Sequence, residues 1–415
     1  MNRSRDLAFE RHLGDSDDRQ WDVVVIGAGP AGATAAAHLA SNGHAVLILD
    51  RHPFPREKVC GDALIPDALH ALRTLGLLET VLREGNSVDH LAVLSPSGIR
   101  VKIPAKCVTL RREVLDALIL TRAIASGATF RVAAVDRLLQ RAGGGVVVSV
   151  KNSEVTVHAR IAILATGADV SLLGKLGMVE RPAPSALALR CYAESSLEIN
   201  ELIVSFDRSV IPGYAWIFPM GKRQYNMGCG VFYGERRRRT MNLRDAFTRF
   251  VTKAKIARDL LQQGQLLTRL RGARIRAGLA GTEIYSGASI LSIGEAIGAT
   301  YPFTGEGIGK AMETGVLAAG QIHRALDKGD SAPLRELSGL IERELAPRYV
   351  GYRTAQRWLA RPWLLDLLAA RLRYSTALRE AAGGILDETT NPQKVFSWLT
   401  LLPTWRRPPS SEYRL

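Results

Sequence analysis

The chain is poor in cysteine: Cys60, Cys107, Cys191 and Cys229 are the only four in 415 residues, and they lie far apart. Neither a CxxC pair nor a Cys/His cluster occurs. That excludes a dense disulfide framework, argues against a metal site, and fits a reducing cytoplasm. Long apolar runs are missing too. No window reaches the roughly 18 apolar residues that a bilayer span needs. Residues 1–20 form a polar extension of mixed charge, without the apolar centre of a secretory signal. Acidic side chains are in deficit, 40 against 55 basic ones, which leaves a net charge of +15. Such a chain attracts nucleic acid, anionic lipid surfaces or anionic substrates. No nucleic-acid module or interleaving of basic with aromatic residues is present, so nucleic acid is not an expected partner. The densest basic run, Arg236–Arg239, reads as a solvated loop or a helix start.

What the chain does have begins at "WDVVVIGAGPAGATAAAHLASNGHAVLILD". Asp22–Ile26 is a short β-branched run of the kind that fills a buried parallel strand. Gly27, Gly29 and Gly32 follow as GxGxxG. The first permits a tight turn, the second lets backbone approach a pyrophosphate, and the third allows a helix to pack closely on a strand. The alanine-rich stretch 31–40 predicts a helix whose first N–H groups favour a phosphate, Asn42-Gly43 ends it, and a second strand runs to Asp50. A carboxylate there can accept hydrogen bonds from a ribose diol. Strand, glycine turn, helix, strand and acid in this order point to FAD or NAD rather than NADP.

A second glycine-rich segment lies 250 residues on, in "ASILSIGEAIGATYPFTGEGIGKAMETG". A strand over 288–293 should end at Gly294-Glu295, and the chain should turn through Pro302 and Gly305 into a helix near Gly307. The start of that helix sets partial positive charge against a planar, electron-accepting ring. A nicotinamide dehydrogenase has no need of this second segment, whereas a flavin spread across both does.

The combination of IGAGPAG, "KVCGDALIPDALHALRTLGL", "PGYAWIFPMGKRQYNMGCG" and "GEAIGATYPFTGEGIGKAMETG" resembles the geranylgeranyl reductase family. That family belongs to the flavoproteins with the p-hydroxybenzoate hydroxylase fold, and the resemblance spans about residues 20–375. The KVCGD form is most similar to members that reduce a double bond in the isoprenoid tail of menaquinone. The resemblance implies an α/β protein that binds FAD. Its Rossmann-like FAD-binding domain (21–180 and 275–330) would be interleaved with a mixed β-sheet substrate domain (181–274), and a helical C-terminal region (331–415) would follow. It places Gly27, Gly29, Ala31 and Gly32 at the pyrophosphate, Asp50 with Arg51 at the adenosine ribose, and Arg112 near the phosphates. Glu295 falls at the ribityl chain, Gly307 and Ile308 at the isoalloxazine ring, and Cys60 with Gly61 at the reacting edge of that ring. Gly294-Glu295 departs from the usual Gly-Asp. Thr166-Gly167 stands where hydroxylases of this group carry Asp-Gly, which weakens an NADPH-dependent hydroxylase reading. Tyr214-Ala-Trp216-Ile-Phe218-Pro219 replaces the Trp-x-Trp-x-Ile-Pro signature of halogenases, which argues against halogenation.

Tyr214, Trp216 and Phe218 alternate, so they share one face of a sheet, either as packed core or as an apolar wall over the flavin. Towards the C-terminus, Trp358, Trp363, Trp398 and Trp405 sit among leucines and arginines. That pattern suits an ordinary helical cap, or a peripheral contact with an anionic surface at the inner face of the cell membrane. Cys60 either fills a turn or meets substrate and handles a proton, with Tyr214 and Trp216 as the other candidate catalytic residues; Arg56 and Lys58 would favour its thiolate if they point towards it. The expected reaction is reduction of isoprenoid carbon–carbon double bonds by hydride from reduced flavin. The alternatives are an FAD monooxygenase of an aromatic or polyketide-like molecule, and a carrier of electrons to a quinone. "RAGGGVVVSV" reads as a hairpin turn rather than a second nucleotide motif, so the reductant is NAD(P)H bound transiently or an electron-carrier protein.

Overall fold

The structure, a computed structural model, describes residues 19–233, 241–279, 281–287 and 289–402. Residues 1–18, the run Arg236–Arg239 and Trp405 lie outside the described residues.

Two mixed sheets organise the chain. In the first, strand Gln20–Ile26 runs parallel between Val46–Asp50 and Thr156–Leu164, with Val25 opposite both Ile48 and Ile163. Val23, Val24 and Val25 are fully buried, as a strand covered on both faces requires. Thr129–Val132 and Ile290–Ser292 extend the sheet in parallel on either side. The expected hairpin is present, Val135–Gln140 pairing antiparallel with Val146–Val150.

Helix Pro30–Ser41 begins with proline in its first turn, and Gly43 follows its end at φ +83°. Most of its residues are buried because the helix lies between the sheet and the long helix Ile308–Lys328. The backbones approach closely here: a Cβ on Gly315 would stand 2.6 Å from the Ala31 carbonyl oxygen. Alanine and glycine are what this closeness allows.

The second sheet runs through Ala186–Ser195, Gln224–Phe232, Gly213–Pro219, Leu202–Ser205, Asn86–Leu94 and Arg100–Thr109. Pairing is antiparallel except between Leu202–Ser205 and Asn86–Leu94. Residues 86–109, inside the 21–180 unit expected from the sequence, therefore form two strands of this second sheet. Helices Ala346–Leu359, Pro362–Tyr374 and Thr376–Gly383 cap the molecule, and Leu364 and Leu368 join the same core as Leu120 and Ile103. No helix among the described residues is long and apolar enough to cross a membrane.

Candidate active site

The two sheets meet around a cavity of about 850 Å³ that reaches from the glycine turn to the capping helices. At the glycine end, Gly27 has φ +109°, and a Cβ there would lie 2.3 Å from the Ala165 carbonyl oxygen. A Cβ on Gly32 would lie 2.0 Å from the Gly27 oxygen. Gly29 differs: its open side faces the cavity, with Arg56 Nη2 3.6 Å from where a Cβ would be. Ala31 lines the same stretch. Bare backbone at a helix N-terminus beside a guanidinium is a cradle for a pyrophosphate.

Asp50 ends its strand with the carboxylate already oriented. Oδ2 accepts from the Ala28 N–H at 2.9 Å and Oδ1 from the His52 N–H at 3.0 Å, which leaves lone pairs towards the cavity. Arg51 lies further out, in an exposed pair with Asp169 at 2.8 Å. Glu295 occupies the turn Gly294–Ile297, where Oε1 accepts from the Arg276 N–H at 3.3 Å and Lys58 Nζ is 4.0 Å away. Gly307 precedes the helix that starts at Ile308, and both line the cavity. A Cβ on Gly307 would come within 2.5 Å of Thr300 Oγ1. These donors and carboxylates suit a flavin dinucleotide laid from Asp50 past Gly29 to Gly307.

Arg112 also lines the cavity, but two of its donors go to Asp116, at 2.7 and 2.8 Å. Its guanidinium faces the Cys60 thiol as well. Arg56 stands nearer Gly29, between Asp50 (3.8 Å) and Asp116 (3.4 Å) and against the Phe54 ring. The sequence reading did not place Arg56 at the phosphates. It is the cation that the glycine turn meets.

The expectation that Arg56 and Lys58 stabilise a Cys60 thiolate is corrected here. They point to Asp50, Asp116 and Glu295, and Arg112 is the cation that faces the sulfur. Burial pushes the Cys60 thiol up from its ordinary value, further than Arg112 pulls it down.

The loop carrying Cys60 is tied to the second sheet. Asn226 Nδ2 donates to the Cys60 carbonyl and to Asp62 Oδ2, both at 2.8 Å, and Trp216 Nε1 donates to Asn226 Oδ1 at 2.9 Å. Tyr192 Oη donates to Asp62, which is fully buried. A Cβ on Gly61 would press on the Phe218 ring at 3.2 Å. Tyr214, Trp216 and Phe218 do share a face, with successive ring centroids 6.1 and 6.2 Å apart, and all three line the cavity. Tyr214 Oη donates to the Thr304 carbonyl. Beyond this wall the cavity is apolar, enclosed by Phe206, Phe303, Leu365, Leu368 and Phe396.

Comparison with known proteins agrees with this geometry. The family described as FAD binding domain matches residues 20–334. Menaquinone reductase from Mycobacterium tuberculosis is 32% identical over 392 residues, covering 90% of this chain and 92% of that protein. The chain belongs to the geranylgeranyl reductase family of FAD-dependent oxidoreductases. Another relative with this character, digeranylgeranylglycerophospholipid reductase 2 from Methanosphaera stadtmanae, is 28% identical and covers 82% of this chain and 88% of its own. In fold, this reductase-family chain is similar to a geranylgeranyl bacteriochlorophyll reductase-like protein from Thermoplasma acidophilum. The TM-score is 0.74 at 21% identity, covering 92% of this chain and 95% of that one. FAD is the cofactor of the family member described here.

Proposed function

We propose that this flavoprotein reduces carbon–carbon double bonds of an isoprenoid, such as a geranylgeranyl chain or the prenyl tail of a quinone. The observation that carries the reading is one cavity whose wall includes both the dinucleotide cradle and the apolar side chains of the capping helices, together with Cys60 and Trp216. The names of the relatives support the same substrate class.

Gly27, Gly29, Gly32 and Arg56 would hold the pyrophosphate, Asp50 the adenosine ribose, Glu295 the ribityl chain, and Gly307 with Ile308 the ring end. When bound, reduced FAD supplies the hydride equivalent that one alkene carbon takes up. The residues of the chain do the rest. Trp216, Phe218 and the capping leucines exclude water and hold an unfunctionalised hydrocarbon by shape alone. Cys60 stands where the alkene must meet the ring, held there by Asn226 and Asp62. The reductant, NAD(P)H or an electron-carrier protein, binds only in passing.

A long-tailed substrate has to arrive from a lipid phase. Helix Pro362–Tyr374 turns Leu365, Leu368 and Leu372 into the cavity, while Trp363 faces solvent at 53% exposure. Trp398, 58% exposed, packs against Trp363 with ring centroids 6.0 Å apart and planes tilted by 36°, and Leu399 and Leu402 extend the apolar patch. Arg357 on helix Ala346–Leu359, Arg361 between the two helices and Arg373 on Pro362–Tyr374 are exposed. An apolar patch among arginines beside the substrate arm supports shallow docking on an anionic lipid surface.

The test is anaerobic. Enzyme reduced with dithionite and given a host lipid extract should convert a prenyl species to one heavier by two hydrogens, read by mass spectrometry. Rapid flavin reoxidation only with oxygen and an aromatic compound, with no hydrogenated lipid, would overturn the reading in favour of a monooxygenase.

A further inference from the structure

The cavity has less room than a prenyl lipid needs. Its volume, about 850 Å³, is that of a pocket for one drug-sized molecule, roughly 300–1,000 Å³, and the dinucleotide claims part of it. A long isoprenoid tail is therefore not enclosed whole, and its excess length has to cross the wall. At two neighbouring places that wall is a single element thick. Helix Pro362–Tyr374 sets Leu365, Leu368, Ala369 and Leu372 on the cavity, the spacing of one helical face. Trp363 and Leu367 are exposed on its other side, and Arg371 continues their stripe one turn on. The segment 392–402 repeats the pattern: Val395 and Phe396 line the cavity, while Trp398 and Leu399 are exposed.

The two elements meet along a seam. Trp363 packs against Trp398 on the outside, and Arg371 donates from Nε and Nη2 to the Thr400 and Leu402 carbonyls at 3.4 and 3.0 Å. Aromatic rings lead inward from it. Trp398 meets Trp358 with ring centroids 5.7 Å apart, Trp358 meets Phe396 at 6.0 Å, and Phe396 meets Phe303 edge-on at 5.0 Å. Phe303 holds its place with a left-handed backbone, φ +79°, which a bulky side chain rarely adopts. It stacks on Phe206 at 6.3 Å, and Phe206 touches Tyr214, the neighbour of Trp216. Rings in contact thus run from the exposed surface to the wall beside Cys60.

Another edge of the same helix is closed differently. Asp366 Oδ1 accepts from Ser95 Oγ at 2.7 Å and from the Ser97 N–H at 2.8 Å. A hydrocarbon passing there would break these hydrogen bonds and put nothing in their place. Between Leu368, Leu372 and Phe396 it exchanges one apolar contact for another. We propose that the isoprenoid chain crosses the cavity wall at the seam between helix Pro362–Tyr374 and the segment 396–402. Phe396 is the side chain that admits it, and the length that the cavity has no room for stays outside, against the lipid surface. This rests on the isoprenoid reading above.

The test uses the FAD-loaded protein and geranylgeraniol tagged with benzophenone at its polar end, a group too bulky to follow the chain inside. After irradiation, mass spectrometry of the peptides should find the label in residues 362–374 and 396–402, and untagged geranylgeraniol should suppress it. Both segments free of label would overturn the proposal. A second measurement separates the seam from docking on lipid, because it uses detergent-dispersed geranylgeraniol and no vesicles. Leu399→Cys modified with a bulky maleimide should keep its flavin absorbance, while kcat/KM for flavin reoxidation falls about tenfold or more against the same variant before modification. The same modification of Leu82→Cys, exposed on helix Leu78–Glu84, should change nothing. An unaltered kcat/KM after modification of Leu399→Cys would also overturn the proposal. Unmodified enzyme that hydrogenates no isoprenoid would overturn the reductase reading instead, and the photolabel, which needs binding but not turnover, still reads the seam.

Discussion

Arg112 bridges Asp116 and Cys60. Its Nε and Nη2 donate to the Asp116 carboxylate at 2.7 and 2.8 Å, and the same guanidinium meets the Cys60 thiol. Asp116 balances the charge of Arg112 before the sulfur can, so the cation steadies the thiol more than it ionises it. Burial then decides the protonation state.

Cys60 should therefore alkylate slowly near neutral pH, and its rate should climb only at a more alkaline pH than that of an exposed cysteine. Mass spectrometry after iodoacetamide at a series of pH values reads this. Cys60→Ser should retain FAD and lose most turnover. Undiminished activity would return Cys60 to a space-filling role.

Removing Asp116 strands a buried guanidinium. Asp116→Asn is expected to cost about 3–5 kcal/mol, because breaking one side of a buried pair leaves its partner uncompensated. Urea denaturation measures it, and a loss under 1 kcal/mol (about the worth of a surface pair) would show that another carboxylate, Asp62, takes over the compensation.

The glycine turn predicts a clean split between two alanine substitutions. Gly32→Ala would set a Cβ 2.0 Å from the Gly27 oxygen, and should give protein that purifies without flavin absorbance. Gly320→Ala, on the exposed side of the Ile308–Lys328 helix with nothing within 4 Å, should keep FAD. It should also gain about 0.5–1 kcal/mol from helix propensity.

Lys310→Met would leave Asp67 without its ion pair, and Glu313 and Glu388 with only Arg348. A loss of about 3–5 kcal/mol at neutral pH is expected. Without the ammonium, which pulls Asp67 down, Asp67 holds its proton to higher pH, so the deficit relative to wild type should shrink as pH falls towards its unfolded value. A pH-independent deficit would mean that packing, not charge, was lost.

Trp363→Ser with Trp398→Ser should weaken sedimentation with anionic vesicles at low salt while leaving FAD content unchanged. Unaltered sedimentation would put the lipid contact elsewhere.

How much of this was legible along the chain follows from the range of the forces. The strand–glycine–helix–strand–acid unit around Gly27, Gly32 and Asp50 is built from contacts between neighbours in sequence, so residue pattern alone determined it. The same holds for the helix start at Ile308 and for the alternation of Tyr214, Trp216 and Phe218 on one sheet face. Three things depended on tertiary structure. Arg56 meets Gly29 only because the loop after the second strand folds back across Asp116. Residues 86–109 join the second sheet because a strand's partner is chosen by packing, not by its own pattern. Glu306 carries no pattern of its own in its glycine-rich turn. Burial, and then the charge on Asp67, push its carboxyl up, and both arise only where the fold brings Asp67, Lys310 and Glu388 together from sequence positions far apart.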